Sequence, residues 1–130
     1  MKRLVTDGGE EIAHRVEIAD GFLEVTRGLL GRPSLPAGEG MALVGCWNIH
    51  MFFMKFPIDV IYVDRDMEVL KVVPELAPWT VSACPGAHST IELGSGTLER
   101  RPVRRGERLH FLDPVDAAGA RTRDPGRGGG

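Results

Sequence analysis

The run NIHMFFMKFPIDVIYVDRD, residues 48–66, restricts the fold of this chain more than any other stretch. Its centre, PIDVIYV, is rich in β-branched and aromatic residues. Pro57 opens it and Asp64-Arg65-Asp66 follow it, which together read as a strand between turns. Side chains alternate along a strand, so Ile58, Val60 and Tyr62 share one face while Asp59, Ile61 and Val63 share the other. Both faces are apolar, which predicts a central strand with Asp59 set among hydrophobic neighbours. A carboxylate there must be hydrogen-bonded or paired, or its pKa rises. Two readings follow. Asp59 is a structural anchor, bonded to backbone amides or to an arginine such as Arg27, or it is a ligand-facing, proton-transferring acid. His50 and Lys55 pose the same question. His50 is a satisfied core histidine or a site residue. Lys55 either extends to water from a strand end or contacts an anion beside Phe52 and Phe53, whose rings are read first as core.

The remaining chain is read as short strands after one early helix. HRVEIAD alternates Val16 and Ile18 against Arg15 and Glu17, as a half-buried strand does. The period then changes: Phe22, Val25, Thr26, Leu29 and Leu30 form a helical apolar stripe over about residues 21–31. Asp20 serves as its N-cap, and Gly31 and Pro33 end it. MALVG, HMFFM, PIDVIYV, EVLKVV, VSAC, STIEL and ERLHFL read as strands, with one helical turn in SGTLERRPV. This pattern predicts a mainly β fold, a compact antiparallel β-barrel or jelly-roll-like sandwich with one N-terminal amphipathic helix. Residues 1–113 are expected to form one β-rich domain, and 114–130, rich in Gly and Arg, a disordered tail. The turn DRDME should make a hairpin. If it requires positive φ at Met67, that residue costs about 1 kcal/mol where glycine would not.

Composition limits the partners. A net charge of −2 over 130 residues supplies no long-range attraction for nucleic acid. Arg100, Arg101, Arg104, Arg105 and Arg108 cluster, read as a solvated rim before an acid- or phosphate-binding patch. No apolar run approaches the ~20 residues that cross a bilayer, and the basic start lacks the apolar stretch of a secretory signal. A cytoplasmic protein without membrane contact is expected. Cys46 and Cys84 are too few for a disulfide scaffold, although a single bridge between them is open.

CWNIH and CPGAH each carry a C-x3-H spacing, which makes Cys46, His50, Cys84 and His88 a candidate zinc set. An extended Cys46–His50 segment would hold its two side chains about 13 Å apart, at about 3.3 Å per residue, so structural zinc is disfavoured and no cofactor is expected. The signatures of serine hydrolases, zinc proteases and phosphate-binding loops are missing.

RGLLGRPSLPAGEGMALV, IHMFFMKFPIDVIYVDRD, IELGSG and RRGERLHF, in that order from about Thr26 to Leu112, resemble the family called domain of unknown function 192. The short Lys55–Pro57 junction is similar to its short-loop branch. Met67 and Glu107 stand where that family carries Gly and Asp. The resemblance implies a compact barrel or jelly-roll-like fold and no established reaction. It maps the family's polar motif residues onto Arg27, His50, Lys55, Asp59 and Glu92, the candidate ligand-binding residues. Three functions compete: a non-catalytic module binding a small anionic ligand or a protein segment; a small hydrolase or isomerase-like enzyme using His50 and Asp59 as an acid–base pair; and an assembly protein with no ligand site. The ligand readings expect His50, Lys55 and Asp59 around one pocket.

Overall fold

The computed structural model of the chain describes residues 1–19 and 34–114. Among the described residues nine strands run in order: β1 (Lys2–Thr6), β2 (Glu11–Ala19), β3 (Glu39–Val44), β4 (Asn48–His50), β5 (Ile58–Val63), β6 (Val69–Leu76), β7 (Val81–Ala83), β8 (Ser89–Gly94) and β9 (Leu109–Leu112). One short helix, α1 (Thr97–Arg100), lies between β8 and β9. The helix expected over 21–31 and the tail beyond Pro114 lie outside the described residues.

Seven strands form one sheet in the order β6-β5-β8-β3-β2-β1-β9, and β4 and β7 form a separate two-stranded ribbon. The main sheet is mixed and open, which corrects the expected antiparallel barrel or jelly roll. β2 and β3 run parallel, Val16 facing Gly40 and Ile18 facing Ala42. Its edges, β6 and β9, touch at one corner only. There Glu68 bridges Arg108, the Val69 N–H donates to the Glu107 carbonyl at 2.8 Å, and the Leu109 N–H donates to the Met67 carbonyl at 3.0 Å. Farther along, Pro74 removes a donor from β6 and Glu75 turns to φ 53°, so the edges do not continue as a ladder.

All six residues of β5 are buried, and they divide between two cores as alternation requires. Ile61 and Val63 pack with Leu4, Val16, Ile91, Leu93, Leu98 and Leu109 inside the curl of the sheet. Ile58, Val60 and Tyr62 pack on the other face with Met41, Leu43, Met51 and Met54, where Ile49 of the ribbon covers them. The first strand, β1, was not distinguished in the sequence. It carries four consecutive buried residues between β2 and β9. Ile18 departs from its expected alternation and is exposed.

The DRDME hairpin does need positive φ at Met67, which sits at 65°. Hydrogen bonds hold it there. The Met67 N–H donates to the Asp64 carbonyl, and Asp64 Oδ1 accepts the N–H groups of Asp66 and Glu68 at 2.9 and 3.0 Å. The Met67 side chain packs against the inner core, offsetting the cost of about 1 kcal/mol in the left-handed region.

Gly40 sets the closeness of β3 and β8. A Cβ at this position would overlap the main-chain oxygen of Glu92 and meet the Leu93 side chain at 2.7 Å. Gly40→Ala should therefore destabilise the fold by about 3 kcal/mol, read as a lower urea midpoint with an unchanged slope.

Candidate functional site

Asp59 is buried in β5 on the face of Ile61 and Val63, and both of its oxygens are engaged by main chain. Oδ1 accepts the Glu75 N–H and Oδ2 accepts the Leu98 N–H, each at 2.9 Å. Glu75 lies where the β5–β6 register shifts, and Leu98 lies in the first turn of α1, where amides have no intrahelical acceptor. The carboxylate thus takes up two donors that the local backbone leaves unpaired. A 320 Å³ cavity lined by Val72, Pro74, Leu98 and Val103 borders it. Arg27, considered as its partner, lies outside the described residues.

His50, Lys55 and Asp59 do not gather around one pocket. His50 ends β4 on the far side of the sheet and is exposed, its ring stacked on Phe52 at 4.8 Å between centroids. Lys55 is exposed in the loop before β5. Alternation sorts faces within one strand, but the position of His50 depends on the ribbon, which alternation does not reveal. The acid–base geometry of the enzyme reading is not assembled.

Glu92 lies in β8 on the same face as Tyr62, between Met41 of β3 and Val60 of β5. Burial alone pushes its carboxyl up to about 7. Next on that face, the Thr90 hydroxyl donates to the Cys46 carbonyl at 2.7 Å, and the Tyr62 hydroxyl is 2.9 Å from Ser82 Oγ. Burial also raises the Tyr62 phenol. Cys46, His50, Cys84 and His88 do not converge; among the described residues no group of three or more His, Cys, Asp or Glu is placed to hold a metal ion.

The feature that stands out is aromatic. Phe52 and Phe53, expected in the core, are 40% and 70% exposed, and Trp79 from the 77–80 turn is 60% exposed. Trp79 lies 4.9 Å from Phe53 and 6.0 Å from Phe52 between centroids. Phe53 and Trp79 both adopt positive φ, 67° and 66°, at a cost of about 1 kcal/mol each. Met51, fully buried, fixes the two turns: its N–H donates to the Thr80 carbonyl and its carbonyl accepts the Trp79 N–H, both at 2.7 Å. Beside this crown lies a cleft of about 600 Å³ between the ribbon and β6, lined by Ile49, Val73, Leu76 and Val81 with His50 and Lys71. Among the described residues no acidic side chain lines it. Trp79 carried a signal in its Pro78-Trp79 turn context. The aromatic pair gave none, because HMFFM has the composition of a buried strand.

The model of the domain of unknown function 192 family, DUF192, described as an uncharacterized ACR, matches residues 3–111, so it includes β1 and β2 as well as the motifs after Thr26. No curated protein matches the chain. Two crystal structures share its fold. One is a Sinorhizobium meliloti 1021 protein described provisionally as a transcription regulator, 22% identical with a TM-score of 0.71, covering 85% of this chain and 91% of its own. The other is a protein of unknown function from Novosphingobium aromaticivorans DSM 12444, 22% identical with a TM-score of 0.73, covering 85% of this chain and 84% of its own. Among the described residues no helix is long and apolar enough to cross a membrane.

Two stability measurements follow from the buried acids. Asp59→Asn replaces an acceptor by an amide donor facing a main-chain N–H, and should cost about 2–3 kcal/mol in denaturant unfolding. Glu92 has the opposite character. Its folded-state pKa lies above the ordinary 4.5, so the folded protein retains a proton that the unfolded chain releases. Stability should therefore fall as pH rises from 4.5 towards 7, by about 3 kcal/mol in total, and Glu92→Gln should flatten that slope in urea titrations.

Proposed function

We propose, from the premise that this chain belongs to the DUF192 family, that it is a non-catalytic binding domain for an extended segment of another protein. The observation that carries this reading is the aromatic crown. Phe52, Phe53 and Trp79 are held exposed by strained turns, at a conformational cost that burial in the core would have avoided. Large exposed aromatics on a rigid base are the side chains that dominate binding energy at protein interfaces. The neighbouring cleft supports an extended occupant. β6 is an edge strand of the main sheet, and the groove between it and the ribbon is lined by apolar Val73, Leu76 and Val81 together with polar Asn48, Lys71 and Ser82. With Lys71 and His50 on its walls and no acid among its lining, the cleft favours a segment that carries a carboxylate among apolar residues.

Catalysis by His50 and Asp59 has no support in this geometry, since the two lie on opposite faces and Asp59 is engaged by two amides. The net charge of −2 gives nucleic acid no long-range attraction, so the regulator description of the Sinorhizobium protein lends this chain no nucleic-acid role. The cytoplasm is the proposed compartment, which suits a chain with only two cysteines.

A library of extended peptides mixing apolar and acidic residues, selected on the full chain, should yield binders. Trp79→Ala and Phe53→Ala should each weaken the selected peptide about thirtyfold, equivalent to ~2 kcal/mol, while leaving the unfolding free energy within about 0.5 kcal/mol. Selection that yields nothing, or binders indifferent to both substitutions, would overturn the reading.

A further inference from the structure

The β4–β7 ribbon has a second chemical feature at the end away from the crown. Its ladder pairs His50 with Val81, Ile49 with Ser82 and Asn48 with Ala83. The Cys84 N–H then donates to the Trp47 carbonyl at 2.8 Å, which sets Cys84 across from Trp47, the residue next to Cys46. Residues one register step apart across two strands lie about 6.5 Å apart at Cα, inside the range of about 4.4–6.8 Å that a disulfide bridges, with side chains on opposite faces wherever the ladder is regular. Cys46 lies outside β4, where that alternation no longer applies, and both cysteine side chains pack on the core cluster that contains Tyr62. Both thiols are half-buried, so small molecules retain access.

The surroundings favour a local adjustment without disturbing the sheet. The Thr90 hydroxyl holds the Cys46 carbonyl, anchoring that residue to β8. Gly45 before Cys46 and Gly86 shortly after Cys84 both sit at positive φ in open space, so the flanking backbone has room to move. Cys46 Sγ lies 2.8 Å from the Asn48 carbonyl, a weak bond whose loss costs little.

We infer that Cys46 and Cys84 form a thiol modification site that takes a low-molecular-weight disulfide as co-reactant and closes to an intramolecular bridge. The thiolate of one cysteine attacks a sulfur of the small disulfide, forming a mixed disulfide and releasing one small thiolate. The second cysteine, deprotonated, attacks the protein sulfur of that mixed disulfide. The Cys46–Cys84 bond forms and the second small thiol leaves. The two protein thiols lose two electrons in all, and the small disulfide is reduced to two thiols. The bridge fastens the open end of the ribbon that carries His50 and one wall of the cleft.

The test uses the full chain incubated with oxidised glutathione, followed by thiol titration, intact mass and peptide mapping. The expected product has lost both thiols, is lighter by two hydrogens, yields a 46–84 cross-linked peptide and reverts with dithiothreitol. Amide exchange across residues 48–50 and 81–84 should slow in the oxidised form. Cys46→Ser and Cys84→Ser should each stop at a glutathione adduct, the step that the missing partner would resolve. A lasting glutathione adduct on the unaltered chain, a disulfide-linked dimer, or two thiols still free when each serine variant forms its adduct would overturn the inference.

Discussion

One buried carboxylate positions much of this molecule. Asp59 gathers the amide of Glu75, freed by the irregularity in β6, and the amide of Leu98 in a four-residue helix too short to stabilise itself. A polar group in the core is tolerated because two main-chain hydrogen bonds replace its hydration, and a single residue thereby fixes the end of β6 and the start of α1 against β5. The effect reaches the opposite face. Directly after Glu75 the chain leaves β6 through Leu76 into the 77–80 turn, which presents Trp79. An interior polar anchor and an exposed aromatic surface are therefore connected through a few residues of strand.

The two faces of the sheet carry different chemistry. The inner face sets Asp59 among apolar side chains such as Leu98 and Val103. The outer face holds Glu92, Thr90 and Tyr62 beneath the ribbon, and Glu92 is set among apolar side chains where ionisation is costly. A sheet that closed on itself would have had only one interior. This one is open and needs a cover over its second apolar face, part of which β4 and β7 supply through Ile49.

Much of this was legible in the sequence where a short-range rule decides the outcome. Alternation along PIDVIYV separated Ile58, Val60 and Tyr62 from Ile61 and Val63, the division between the two cores. Turn chemistry singled out Met67, and SGTLERRPV contains the helical turn. Long-range choices were not legible. Nothing in MALVG distinguishes a parallel from an antiparallel partner, so the β2–β3 pairing and the open sheet were missed. HMFFM has the composition of a core strand, yet positive φ at Phe53 bends it outward after Met51, a tertiary effect invisible to composition. For the candidate site, the embedded position of Asp59 was correctly read, whereas its grouping with His50 and Lys55 assumed that β4 lies beside β5. It pairs with β7 instead.

The pairing of β1 with β9 joins residues from the two extremes of the described chain, with Arg3 opposite Leu112 and Thr6 opposite Leu109. Of the described strands, β1 is made before the others and β9 after them, so β1 gains its second neighbour only once the rest have been made. Until then its buried Leu4 and Val5 lack part of their shelter. Closing so long a loop carries an entropic penalty that only late contacts offset, so among the described strands β9 completes the sheet that the others begin.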